Sequence, residues 1–252
     1  MLRSLFPLCF STLALFLASC IKEDRSSCPC VLTISTEKTA DSSTVFSVYL
    51  SRGEEIFADS LDAGKVYEKA VPRGLLYVTV SSGDDGTFEP GKGIVIPFGS
   101  NCPPVFLWSR PVKAEGETVS RSAVLLKSHC RVRMRLVPAG GAVSFVIHGG
   151  IAGFDLDGNP LEGPFECVPH RTDDGFLEFI LPRQKDNSLL MDVSSGGVLL
   201  RTFALGEILA RAGYSWKDKD LKDISMEVSC SANVLISDFS IWENVQNREI
   251  LL

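Results

Sequence analysis

Side chains that could do chemistry are few in this chain and poorly placed for catalysis. Acyl transfer or hydrolysis needs a nucleophile, a base and a group that orients the base, all converging. The chain has 3 His. His129 flanks an alternating strand, His148 ends one, and His170 falls in a loop. No G-x-S-x-G segment is present. Gly91-Lys92-Gly93 lacks the third glycine of a phosphate-binding loop, because Ile96 stands there, and no helix follows. No catalytic residue is assigned, and the chain does not read as an enzyme.

Two segments imitate metal sites. Asp155-Leu156-Asp157-Gly158-Asn159, followed by Glu166, has the oxygen ligands of a calcium loop. Pro160 occupies the position where such a loop needs a glycine, and no helices flank it. The segment therefore reads as a hairpin turn. Cys167 and His170 have zinc-ligand spacing but lack a second pair, so no metal and no cofactor is expected. Arg131, Arg133 and Arg135 alternate along one strand and could meet an anionic glycan or nucleic acid. The ordinary reading is the wet face of a sheet. A net charge of -6 gives no general attraction to nucleic acid.

The one reactive residue with a specific context is Cys20. Arg3 supplies a positive start, and residues 5–17 are almost unbroken apolar. That length suits a signal peptide and is short for a bilayer of about 30 Å. Leu17-Ala18-Ser19-Cys20 follows, resembling the bacterial lipobox. Two small residues fit a peptidase cleft, and the first mature residue presents a thiol for lipidation. Acyl chains contribute about 0.8 kcal/mol per buried methylene, so two or three chains hold a protein firmly on a membrane. Residues 1–19 are read as the signal peptide and 20–30 as a lipidated tether, which reaches about 35 Å at most. Lys22, Glu23 and Asp24 look like a surface-sorting signal of Bacteroidetes lipoproteins; physically they are a short charged tether. Of the 8 Cys, Cys28, Cys30, Cys102, Cys130, Cys167 and Cys230 remain for the folded body. An exported chain permits bridges among them, and sequence alone leaves their connectivity open.

The elements that carry these residues have a period of two. Residues 31–35, 44–50, 75–80 and 93–97 read as strands, separated by turn clusters rich in Ser, Asp and Gly. The stretch 108–121 is polar, and a domain boundary is placed inside it, giving sandwiches over 31–115 and 116–252. Cys130 to Leu136 alternates without a break, and residues 142–148, 176–181, 188–193 and 198–203 continue as strands. Leu205, Ile208, Leu209 and Ala212 share one helix face, with Gly213 placed to end the helix. Residues 217–223 read as a charged loop, and 224–239 as a closing hairpin. The fold class is all-β: two tandem antiparallel β-sandwiches, with one short helix in the second.

Several pieces resemble, in order, the FimB-like minor fimbrial anchor lipoproteins of the Bacteroidales. Residues 19–29 are similar to that family's lipidated cysteine, acidic tether and Cys-Pro pair. Arg73-Gly74 with Tyr77-Val78, then Phe145 to Gly149 and Gly153 to Pro160, resemble its strands and the start of its second domain. Leu205-Gly206-Glu207 through Trp216, Leu221 to Ile224 and Trp242 resemble its closing helix and hairpin. Cys30 departs from the pattern. The resemblance implies transthyretin-like sandwiches, a lipid anchor in the outer membrane at the cell surface, and fimbrial subunits as partners by strand exchange. It also implies a role in anchoring a fimbria and limiting its length. A stalk or tip subunit would instead lose its leading strand, by cleavage after an arginine such as Arg52 or Arg73. A third reading is a surface glycan-binding lipoprotein using exposed aromatics: Trp108, Trp216 or Trp242, the last expected in the core.

Overall fold

The structure, a computed structural model, describes residues 28–36, 45–62, 64–82, 88–137, 143–230, 236–243 and 246–251, with side chains described through residue 228. The period of two is realised as strands, and most of them turn their apolar positions inward. The first core lies between a three-stranded and a five-stranded sheet. In the smaller sheet, β1 (Cys30–Thr36) is the middle strand, antiparallel to β4 (Val66–Val71) and parallel to β9 (Thr118–Ala123). The larger sheet runs β10 (Leu126–Lys127), β8 (Phe106–Ala114), β5 (Gly74–Ser82), β2 (Val45–Arg52), β3 (Glu55–Asp62). Leu32 and Ile34 from β1 meet Phe46, Val48, Val78 and Val80 in this core. Full burial of side chains this size contributes about 1.5–3 kcal/mol each.

The second core lies between two larger sheets. One runs β17 (Val198–Phe203), β16 (Leu190–Ser195), β12 (Val143–Phe154), β7 (Gly93–Val95), β6 (Phe88–Glu89), with β13 (Pro160–Cys167) also paired to β12. The other runs β14 (His170–Arg171), β15 (Leu177–Pro182), β11 (His129–Val137), β18 (Ile224–Cys230), β19 (Ile236–Glu243), β20 (Gln246–Leu251). Helix α1 (Leu205–Arg211) has no side-chain cap at its start and is held by Leu205, Ile208 and Leu209 in the second core. Gly213 follows it with a φ of 88°, as the spacing predicts.

The all-β sandwich expectation holds, with a refinement. Most pairs are antiparallel, but β1 with β9 and β11 with β18 are parallel. Alternation decides which face of a strand is buried and carries no direction, so these pairings are not readable from the pattern. The polar stretch 108–121 belongs to β8 and β9 and the turn between them. Both strands serve the first core through Val112, Ala114 and Ala123. Earlier in the chain, Ile94, Ile96, Cys102 and Val105 already belong to the second core. Between residues 88 and 125 the chain therefore serves both cores in turn.

Candidate functional site

The first strand of the folded body is β1. Cys30, Leu32 and Ile34 are fully buried, while Val31 and Ser35 face out. Its backbone is paired on both sides, with Cys30 to Ser35 against β4 and Val31 to Thr36 against β9. Arg73 adds a clasp: its Nε donates to the carbonyl of Cys28 at 2.8 Å. Cys20, with Leu17, Ala18 and Ser19 of the expected signal-peptidase motif and Lys22, Glu23 and Asp24 of the expected sorting signal, lies outside the described residues.

The two arginines that would serve processing differ. Arg52 is exposed at the end of β2, and Arg73 is half-buried between β4 and β5. A cut after Arg52 would remove β2 together with β1, and with them Phe46, Val48 and Leu50 from the first core. A cut after Arg73 would remove β3 and β4 as well. Residues 37–44, between β1 and β2, contain Lys38 and no arginine, so no arginine-directed cut releases β1 alone.

The residues weighed for chemistry are dispersed. His129 is buried, its Nδ1 lying 3.1 Å from the carbonyl oxygen of Val105 and its ring edge-on to Phe106. Burial pushes its pKa below the usual 6.5. His148 stands on the outer face of its sheet. Its Nε2 is 3.0 Å from Oδ2 of Asp192, and its Nδ1 is 3.4 Å from Oε2 of Glu166. His170 is exposed on β14. No two histidines share a site with a nucleophile.

The Asp155 carboxylate closes a turn. Its Oδ1 accepts the N–H groups of Asp157 at 2.9 Å and Asn159 at 2.8 Å, joining β12 to β13. Cys167 is buried and His170 exposed, so they face different surroundings. Among the described residues no cluster of three His, Cys, Asp or Glu is arranged to bind a metal. The arginine ladder is fully engaged: Arg131 with Glu178, Arg133 with Asp174, Arg135 with Glu227. Arg133 also stacks on Phe176. It is a paired outer face, as expected.

Of the cysteines, Cys28 is exposed and Cys30, Cys102, Cys130 and Cys167 are buried free thiols; the side chain of Cys230 is not described. Burial pushes the Cys130 and Cys167 thiols up to about 12, and Cys102 well above its usual value. Among the tryptophans, Trp216 is buried and packed edge-on to Tyr214, whereas Trp108 is half-buried against the first core. The side chain of Trp242 lies outside the described ones.

One surface feature had no sequence signal beyond an ordinary strand. β17 ends its sheet, and Val198, Leu199 and Leu200 are 64%, 56% and 45% exposed. Consecutive strand residues point to opposite faces, so apolar surface is open on both sides of this edge. Among the described residues no helix is long and apolar enough to cross a membrane.

No family model and no curated protein matches the sequence. Solved structures match its fold. The fimbrial anchor protein Mfa2 from Porphyromonas gingivalis is similar with a TM-score of 0.58 at 12% identity, over 88% of this chain and 99% of that one. A candidate polysaccharide-binding protein from Bacteroides thetaiotaomicron gives 0.63 at 11% identity, over 88% and 98%. A candidate adhesin from Bacteroides ovatus gives 0.62 at 12% identity, over 89% and 95%. The neighbours thus include a fimbrial anchor, the family that the motifs resemble; at these identities the likeness is one of fold.

Proposed function

We propose that this chain is a cell-surface lipoprotein at the base of a fimbria, held in the outer membrane by lipid on Cys20 and limiting fimbrial length, with structural and binding duties and no catalysis. The observation that carries the reading is the central position of β1. Load on a lipid at Cys20 would travel along a short tether into a strand hydrogen-bonded on both sides. Force along such a strand is shared by many backbone bonds at once, which suits an anchor. The same strand fills the place that a polymerising subunit must vacate for strand exchange. The absence of arginine from residues 37–44 supports its retention over the stalk or tip alternative. The fold shared with a fimbrial anchor adds weight. Partners on this reading are fimbrial subunits, met by strand exchange, and not nucleic acid.

The test is Cys20→Ala in cells that assemble the fimbria. The expected outcome is fimbriae shed into the medium, longer than those on unaltered cells, with the wild-type mature chain beginning at Cys20. Full retention of fimbriae on the variant cells would overturn the anchor. Chains in assembled fimbriae that begin after Arg52 or Arg73 would instead establish a stalk or tip subunit.

A further inference from the structure

A cleft of about 460 Å³ lies where the two sandwiches meet. Strand β8 contributes Trp108 and Arg110, the loop after α1 contributes Lys217 and Lys219, and the β12–β13 turn contributes Asp157. These elements are locked before any ligand arrives. Ser109 Oγ donates to the carbonyl of Leu156 at 2.7 Å, and Arg110 Nη1 to that of Asp157 at 3.2 Å, which fixes the turn against β8. Arg183 spends its guanidinium on the backbone. Nη1 donates to the carbonyls of Trp216 at 2.7 Å and Asp218 at 2.6 Å, and Nη2 to those of Lys127 at 3.0 Å and Lys219 at 2.9 Å. It thereby sets the path of the loop that presents Lys217 and Lys219.

The cleft has an unusual charge for this chain. Four cationic side chains line it against two carboxylates, in a protein of net charge -6. The exposed Lys217 and Lys219 make no ion pair among the described residues. Trp108 packs against the first core and lines the same cleft as the two lysines. The volume falls in the range of about 300–1,000 Å³ typical of small-molecule sites. An inorganic anion would leave most of it empty. An anionic ligand larger than an inorganic ion, with one apolar face, matches the lysines, the volume and Trp108.

We propose that this cleft binds an acidic oligosaccharide, with the C–H face of a sugar ring on Trp108 and uronate carboxylates on Lys217 and Lys219. The site is independent of the fimbrial role, and its test does not measure fimbriae. Full-length Cys20→Ala protein, free of lipid, is titrated by calorimetry with tetragalacturonate and with neutral galactotetraose. Tetragalacturonate is expected to bind, and the neutral sugar about tenfold more weakly or worse, since charge-assisted hydrogen bonds are the stronger kind. Lys217→Ser with Lys219→Ser should cost about tenfold or more in affinity for the acidic sugar. Trp108→Ala should weaken both sugars. Because Trp108 also packs on the first core, the exposed lysine pair is the deciding variant. Equal binding of the two sugars, no binding of tetragalacturonate, or unchanged affinity in the lysine variant would each overturn the proposal.

Discussion

At the residue scale, surroundings decide which side chains have chemistry left. Asp155 has the ligand pattern of a calcium loop, yet its carboxylate is spent on backbone N–H groups. Arg131, Arg133 and Arg135 have the look of an anion-binding stripe, yet each faces a carboxylate. His129 retains a latent response to pH. Burial opposes its charged form and lowers its pKa from 6.5. A base whose folded pKa is depressed gives full stability above the unfolded value and loses it as pH falls below about 6.5, where the unfolded chain binds the extra proton. One such group contributes a slope of at most about 1.4 kcal/mol per pH unit. Melting temperatures followed from pH 7.5 to 5 should fall less steeply in His129→Asn, whose amide can still donate to Val105. Parallel slopes for the two proteins would rule the residue out as the source.

Elements follow from alternation more than from composition. In β18, Ile224, Met226 and Val228 are buried and Ser225 and Glu227 half-buried, the faces that the period of two predicts. Met226→Asp would bury an unpaired carboxylate at a fully enclosed position, costing several of the ~5–15 kcal/mol that stabilise a domain. Glu227→Ser loses only a partly exposed ion pair with Arg135, worth about 1 kcal/mol or less. Thermal melts of the two variants measure the contrast; a larger loss for Glu227→Ser would mean that the register is one residue off. Strands of weak alternation escape this reasoning. β3 is exposed along most of its length, and β9 reads Thr-Val-Ser-Arg-Ser-Ala, with one fully buried side chain at its end. Their strand conformation comes from pairing with β2 and β1, partners far less obvious than a local pattern.

For the whole molecule, the passage of the chain between its two cores is the decisive feature. β7 leaves the first half of the sequence and pairs with the far end of β12 at Gly153 and Phe154. The approach is close: a Cβ at Gly153 would overlap the carbonyl oxygen of Ile94, and one at Gly93 would overlap that of Phe154. Gly153 also has a φ of 150°. Gly153→Ala should therefore destabilise the second sandwich by about 2–5 kcal/mol, through backbone displacement and not lost side-chain contact. A melt that matches the parent protein would show that β7 is not a firm part of that sheet. Tyr49 stacked on Phe88 at 4.3 Å, and the hydroxyls of Thr79 and Ser109 leading to Leu156, reinforce the same seam from the first sandwich.

The sequence by itself determined the all-β class, the buried faces of β11 and β18, the helix over 205–211 and its stop at Gly213. Each is written in a local period or a local backbone requirement, and local patterns survive without knowledge of partners. The proposed lipid anchor at Cys20 likewise rests on a local motif, Leu17-Ala18-Ser19-Cys20. Only the tertiary structure decided that β1 runs parallel to β9, that β6 and β7 serve the second core, and that Trp108, Lys217 and Lys219 share a cleft. Those facts join residues roughly ninety or more positions apart, or assign a strand to one of two equally apolar sheets. Apolar alternation rewards burial against any complementary face, and the choice among faces is made by packing across the whole chain.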